Sequence, residues 1–426
     1  MTNSITPTPS CADPSDPESI SVAEALRQIS AHIKPLRDIE ELPLRDCLGR
    51  ICAEAIRSPI DVPGHANSAM DGYAIACHNL TQGQVTIFNE IGTAFAGKNF
   101  EGICSNTNCI RIMTGAVIPE GTDTVIMQEQ AQRNEDGSVS IGPDHQRGEN
   151  IRNAGEDVRQ GDIVLDRDAS IQPACLGVLA SLGIARLKVY RKPVVAYFST
   201  GDELVSIDKP LLKGQIYDSN RYTLFAMLAQ LEVDSLDLGV IQDDPNSIKA
   251  ALQKAAQKAD LVITTGGVSV GQADYIKTVL EEIGQPEFWK IAIKPGRPLT
   301  FGNIGNCVFM GLPGNPVAVM VTFNLFAIPA IRKLSGATAA TTPIIKARAQ
   351  EKLRKKAGRF EVLRGIASMD SDHNWKVISS GKQGSGILTS ISRANCFILL
   401  GEDNNGVEPG DIVNIQLFDR ANLGVS

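Results

Sequence analysis

From residue 193 onward the sequence alternates between strand-like and helix-like segments, and this constrains the fold more than any other feature. PVVAYF (193–198) is an apolar run of strand length, SNRYTLFAMLAQL (219–231) is helical, VDSLDLGVI (233–241) is a strand, NSIKAALQKAAQKA (246–259) a helix and DLVITT (260–265) a strand. Strands separated by helices of this length build βαβ units and a parallel sheet. A helix at Tyr275 to Ile283 follows, then strand-like segments at Phe288 to Ile293, Leu299 to Ile304 and Cys307 to Leu312. Val317 to Ile331 is the most apolar helical candidate. Thr322, Asn324 and Pro329 interrupt it, and it is shorter than the ~20 residues of a bilayer span, so it reads as a core helix.

The flanks differ in kind. VAEALRQISAHI places Val22, Leu26, Ile29 and Ile33 on one stripe of an amphipathic helix, with Ser21 as its N-cap. Residues 40–160 carry short β-type runs, among them Val85 to Phe88 and Thr124 to Met127, between Gly and Pro turns. From Thr341 the helical period disappears, and short strands at Glu361 to Leu363, Trp375 to Ile378 and Cys396 to Leu400 predict a separate β module. The first twenty residues lack a basic n-region and an apolar h-region, so a floppy tail is expected rather than a secretion signal. Nine cysteines without a C-x-x-C pair fit reduced thiols in a cytosol. With 41 Lys and Arg against 48 Asp and Glu, the net charge of -7 predicts neither nucleic-acid nor membrane binding, so any cationic site must be local.

In an open α/β sheet, ligands bind beyond the carboxyl ends of the strands, where loops converge and helix N-termini offer free N–H groups. Three consecutive strand exits carry carboxylates here: Ser199 to Glu203, Gln242 to Pro245, and Gly266 to Asp274. Like charges crowded on one edge call for a cation, and hard oxygen ligands beside a phosphate-bearing substrate favour magnesium over zinc. Glu203, Asp274 and one or both of Asp243 and Asp244 are the expected metal ligands, with helix capping the competing use of Asp202, Asp243 and Asp244. In GGVSVG, Gly266, Gly267 and Gly271 let backbone N–H groups approach an oxyanion, and Ser269 adds a hydroxyl. The spacing matches neither the nucleotide-triphosphate loop nor the dinucleotide fingerprint.

Counter-charge comes from IKPGRP (293–298), where Lys294 and Arg297 flank a Pro-Gly turn. A point charge beside a planar fork suits a tetrahedral oxyanion or a phosphate. LPGNP (312–316) adds Pro313 and Asn315, the latter placed to cap the next helix. NSAMDGYA (67–74) and RIMTGA (111–116) define no general chemistry. A turn stabilised by Asp71 and a strand end closed by Thr114 account for them. No Ser-His-Asp order, zincin helix or Cys-His constellation is present, and histidine-centred catalysis is not expected from five scattered histidines.

Taken in order, NSAMDGYA, RIMTGA, GED (155–157), STGDEL (199–204), GQIYDSNR (214–221), TGGVSVG (265–271), KPGRP (294–298) and GLPGNP (311–316) resemble the motifs of the molybdopterin molybdenumtransferase family, which includes bacterial MoeA and the E domain of gephyrin. The likeness runs from about Ser21 to the C-terminus. It implies insertion of molybdate into adenylylated molybdopterin (MPT-AMP), giving molybdenum cofactor and releasing AMP, with Mg2+ required. The fold it implies is multidomain, α/β plus β, with a central doubly wound α/β domain of the molybdopterin-binding type at 193–341. An inserted β-rich domain at 61–152 and a mixed dimerisation domain at 19–60 and 153–192 precede it. A C-terminal β-barrel at 342–426 follows, and 1–18 is a disordered tail.

The resemblance further implies a cytoplasmic, elongated homodimer whose cleft lies between the α/β domain of one subunit and a β-rich domain of the other. Molybdopterin adenylyltransferase and molybdoenzyme apoproteins are the implied partners. Carried over, Asp71, Thr114, Asp157, Glu203 and Asp274 belong to the catalytic motifs, and Glu203, Asp243 or Asp244, and Asp274 match the acidic, metal-binding positions. Gly266, Gly267, Ser269, Gly271, Lys294, Arg297, Pro313 and Asn315 fall in the cofactor-binding motifs. Two departures stand out: Ala66, after His65, replaces an Asp common before NSAMDGYA, and Arg297 replaces the second lysine of KPGKP. A guanidinium binds two oxyanion oxygens at once, so Arg297→Lys is expected to change molybdate affinity while function is retained. Adenylylation of molybdopterin and a non-catalytic scaffold are the competing readings. The extra β-rich regions and the retained charged loops favour insertion.

Overall fold

The computed structural model describes residues 19–231, 233–267, 275–337 and 343–418. The N-terminal tail, Ser269, Gly271 and Asp274 lie outside the described residues. The chain divides into two compact units, the second made of Glu41–Leu48 and Cys52–Val189 and the first of the remainder.

The first unit opens with α1 (Val22–His32), where Ser21 Oγ accepts the Glu24 N–H at 3.1 Å, the expected N-cap. Val22, Ala25, Ile29 and Ile33 are buried, while Leu26 reaches the core only in part. The winding then runs β1 (Val194–Thr200), α2 (Ser219–Gln230), β2 (Asp234–Ile241), α3 (Pro245–Ala256), β3 (Leu261–Thr265), α4 (Tyr275–Ile283), β4 (Gln285–Ile291), β5 (Ile293–Lys294), β6 (Pro298–Ile304) and β7 (Cys307–Leu312). The sheet order is β4-β6-β7-β3-β1-β2, with Ser19–Ile20 beside β4. β2, β1, β3 and β7 run parallel, and β6 is antiparallel to both β7 and β4.

Alternation along β1 builds a core on each face. Val195 and Tyr197 pack with α1 and α2, and Ala196 and Phe198 pack with α3 and α4. Burying each large apolar side chain contributes roughly 1.5–3 kcal/mol, so two-sided burial holds this strand at the centre of the sheet. β1 is longer than expected: Ser199 and Thr200, read from the sequence as loop, are its last two residues. The reason is ladder pairing with both neighbours, Ser199 opposite Val240 and Thr265 and Thr200 opposite Ile241, with Ser199 Oγ further held by Asp218 Oδ1 at 3.1 Å and Thr265 Oγ1 at 3.0 Å.

After LPGNP come α5 (Pro316–Thr322), a π turn (Phe323–Ala327) and α6 (Ile328–Leu334). This 19-residue stretch is apolar and long enough to cross a membrane. Val317, Val319, Val321, Phe323 and Phe326 are nevertheless fully buried in the core against the sheet, so it is the core helix the sequence predicts. The π turn precedes Pro329, which has no N–H to continue the regular ladder.

The C-terminal module comprises β8 (Ile345–Ala349), β9 (Phe360–Met369), β10 (Trp375–Ser379), α7 (Leu388–Ser392), β11 (Cys396–Leu400) and β12 (Ile412–Leu417). Its order, β9-β10-β8-β12-β11, closes through β11 onto β9 as a barrel. β5 adds in parallel to the start of β9, with Lys294 opposite Glu361.

The second unit holds a six-stranded sheet in the order Thr124–Met127, Gly72–Ile75, Asn108–Ile112, Thr86–Ala94, Ser138–Ile141 and Ala131–Arg133. Gly72 is sterically required, because a Cβ there would sit 1.8 Å from the Ile126 carbonyl oxygen.

Candidate functional site

A cleft of about 540 Å³ in the first unit is lined by Gly266, Gly267, Lys294, Arg297, Pro313 and Asn315, all the described members of the expected cofactor-binding set. Three loops build it. The β3 exit packs tightly on the end of β1: a Cβ on Gly266 would lie 2.6 Å from Thr200 O, and one on Gly267 would lie 3.0 Å from Thr200 Oγ1. Both glycines have positive φ, 86° and 65°, which L side chains rarely adopt. The basic turn is pressed on α5, since a Cβ on Gly296 would meet Thr322 Cγ2 at 2.6 Å. The GLPGNP loop is held by Asn220, whose Nδ2 donates to Gly314 O at 2.7 Å and whose buried Oδ1 has no partner. Asn315 occupies the N-cap position of α5 as expected, but its side chain makes no capping bond.

The far wall is one that sequence reasoning missed. Arg359, Glu361, Arg364, Gln383 and Ser385 of the C-terminal module complete the cleft. Arg364 is fully buried. Its Nε donates to Ser390 Oγ at 3.1 Å and its Nη2 to Gly384 O at 3.1 Å and Lys382 O at 3.3 Å, while Nη1 has no partner. Burial pushes this guanidinium below its ordinary pKa, and the Glu361 charge opposes that. Lys294 Nζ donates to Glu361 Oε1 at 2.7 Å. The available signal was two charged residues, Glu361 and Arg364, inside the otherwise apolar run FEVLRG.

The acidic exits follow β1 and β2 at the same carboxyl edge of the sheet. Glu203 is exposed and folds back over Gly201, where a Cβ would meet its Oε2 at 2.7 Å. Asp243 and Asp244 separate into different roles. Asp244 Oδ1 caps α3, accepting from Asn246 N and Ser247 N at 3.0 Å each, the capping use the sequence also allows. Asp243 Oδ1 is buried without a partner, and its carboxyl is pushed up by burial and by the charges of Asp202, Glu203 and Asp244. Among the described residues no three such side chains close on a common point as metal ligands. An orphaned oxygen amid like charges, with hard oxygen donors beside it, does fit Mg2+.

In the second unit Asp71 and Thr114 come together. Asp71 Oδ1 accepts the Thr114 N–H at 2.7 Å and its hydroxyl at 2.8 Å, joining two of the motifs. Arg111 lies over the Tyr73 ring, 6.0 Å from its centroid. Asp157 is exposed on another loop of this unit, anchored by its own N–H donating to Val62 O at 3.0 Å.

Comparison with known proteins identifies relatives of the whole chain. Three family profiles match in order: the MoeA N-terminal region (domain I and II) over residues 20–183, a probable molybdopterin binding domain over 196–333, and the MoeA C-terminal region (domain IV) over 346–418. The chain is 46% identical over 382 residues to the molybdopterin molybdenumtransferase of Haemophilus influenzae, covering 89% of this chain and 94% of that relative. The chain belongs to the MoeA family. A Nostoc member of the MoeA family, also named molybdopterin molybdenumtransferase, is 35% identical, with 89% of each chain covered. Gephyrin of Dictyostelium discoideum is 32% identical over 90% of this chain and 60% of its own length. A crystal structure of a MoeA family protein from Pyrococcus horikoshii superposes with a TM-score of 0.81 at 30% identity, covering 94% of this chain and 100% of the other.

Proposed function

We propose that this chain inserts molybdenum from molybdate into adenylylated molybdopterin, releasing AMP in a magnesium-dependent step of molybdenum cofactor biosynthesis. The observation that carries the reading is the convergence of Gly266, Gly267, Lys294, Arg297, Pro313, Asn315 and Arg364 on one cleft. Cleaving the phosphoanhydride of MPT-AMP requires neutralisation of charge that builds on its oxygens. Lys294, Arg297 and Arg364 supply fixed positive donors, Arg364 with a buried Nη1 still unpaired. Asp243 and Glu203 are the described groups that would hold Mg2+, which when bound supplies further charge neutralisation beside the phosphates. Asp274 is the third expected ligand.

Molybdenum ligation needs no protein thiol, because the dithiolene sulfurs belong to the substrate. The Cys109, Cys307 and Cys396 thiols are pushed up to about 12 by burial and stay protonated at neutral pH. Eight described cysteines are free, which supports a cytoplasmic setting. A homodimer is part of the reading: the exposed apolar side chains of Ile207, Tyr217 and Tyr222 line one open cleft, the kind of apolar surface that a second copy covers. Asp71, Thr114 and Asp157 would then act on the cleft of the other subunit. The domain division at 61–152, 193–341 and 342–426, with 19–60 joined to 153–192, belongs to the same proposal, as do molybdopterin adenylyltransferase and molybdoenzyme apoproteins as hand-over partners.

The decisive assay incubates the purified chain with MPT-AMP, Mg2+ and molybdate. Molybdate-dependent AMP release is the expected result. ATP consumption with unmodified molybdopterin would assign the adenylylation step instead, and binding without turnover would favour a scaffold.

A further inference from the structure

Glu361 is a carboxylate in a cleft otherwise furnished for anions. Lys294, Arg297, Arg359 and Arg364 line the same space, and among the described lining residues Glu361 carries the one negative charge. It is 7% exposed, and its Oε1 accepts from Lys294 Nζ at 2.7 Å. The backbone sets this pair from both sides, since Lys294 and Glu361 are register partners where β5 joins β9. The same charge opposes the desolvation of Arg364 and of Lys355, which also feels Asp403 and Glu402.

By charge alone, such a group lowers affinity for an oxyanion. Its position offers an offsetting benefit. Lysine is a point charge on a flexible stem, so its head must be fixed before it acts as a directed donor. A guanidinium buried as fully as Arg364 also needs a counter-charge nearby.

We propose that Glu361 is a positioning residue of the oxyanion cleft, holding the Lys294 ammonium and balancing the buried Arg364 so that a tetrahedral oxyanion meets donors already in place. This rests on the cleft being the molybdate site. Glu361→Gln keeps the volume and one acceptor oxygen but removes the charge, and Glu361→Asp keeps the charge on a shorter stem.

The test measures molybdate-dependent AMP release and calorimetric molybdate binding for wild type and both variants. Misplaced donors predict a molybdate KM about tenfold higher in Glu361→Gln with kcat reduced much less, and partial recovery in Glu361→Asp. A merely structural defect would reduce the active fraction, hence apparent kcat, and leave KM unmoved. An unchanged or lower KM in Glu361→Gln, the outcome bare electrostatics predicts, overturns the inference while the proposed function stands. A wild-type chain that neither binds molybdate nor depends on it overturns both.

Discussion

Asp71 takes both polar hydrogens that Thr114 has to give, the backbone N–H at 2.7 Å and the hydroxyl at 2.8 Å. Two motifs 43 residues apart are thereby tied at one end of the second unit's sheet. The two Thr114 bonds, backbone first, hold the Asp71 carboxyl below its ordinary value, and Arg111 adds to the effect.

Thr114→Val removes the hydroxyl donor and keeps the shape. The Asp71 pKa should rise towards its ordinary range, read by carboxyl-detected NMR titration. Because the folded pKa is depressed, the bond's contribution to stability is present above the unfolded pKa of about 3.9 and is lost as pH falls through the lowered folded value. Wild type and variant should therefore differ in Tm at neutral pH and converge in acid. A difference independent of pH would show that the carboxylate is not the partner that matters.

Asp243→Asn should act in the opposite sense. Burial and the surrounding Asp202, Glu203 and Asp244 charges raise this carboxyl, so in metal-free buffer its ionised form costs stability at neutral pH, and that cost fades as pH falls below the raised value. Removing the charge should therefore stabilise the metal-free chain at neutral pH, and by less as pH falls. On the proposed reading, added Mg2+ should raise the wild-type Tm by mass action, and Asp243→Asn should abolish that rise. Calorimetric scans with and without Mg2+ check both halves.

Arg364→Lys should cost roughly 1–3 kcal/mol in chemical denaturation, because a lysine cannot reproduce three separate bonds to Ser390 Oγ, Gly384 O and Lys382 O. Molybdate affinity should fall as well. Retention of full affinity would remove Arg364 from the site.

Gly72→Ala should be among the most damaging single-methyl additions. Its Cβ would stand 1.8 Å from Ile126 O and 2.8 Å from the Ile126 carbonyl carbon, inside a paired strand that cannot shift without breaking the ladder. A loss above ~3 kcal/mol, or failure of the second unit to fold, is expected by circular dichroism melting.

Much of the architecture was legible because it follows from local periodicity. The Ser21 cap, the βαβ alternation, the Tyr275–Ile283 helix and the buried helix after LPGNP lie where hydrophobic spacing and turn chemistry put them. The motif order likewise points to the MoeA family, the family whose profiles match the chain. That Gly266, Gly267, Lys294, Arg297, Pro313 and Asn315 share one cleft agrees with reading them as loops at the carboxyl edge of an α/β sheet, where ligand-binding loops converge.

Tertiary structure decided the rest. That Asp244 caps α3 while Asp243 buries an oxygen without a partner is a matter of one residue in phase that composition does not reveal. The charges of Glu361 and Arg364 stand out in the run FEVLRG, but that they line the cleft follows from long-range pairing such as Lys294 with Glu361. Local sequence sets which groups the chain owns and how each segment bends. Which of those groups share a desolvated space, and so change one another's charge and hydrogen bonding, is settled by contacts between segments far apart in the chain.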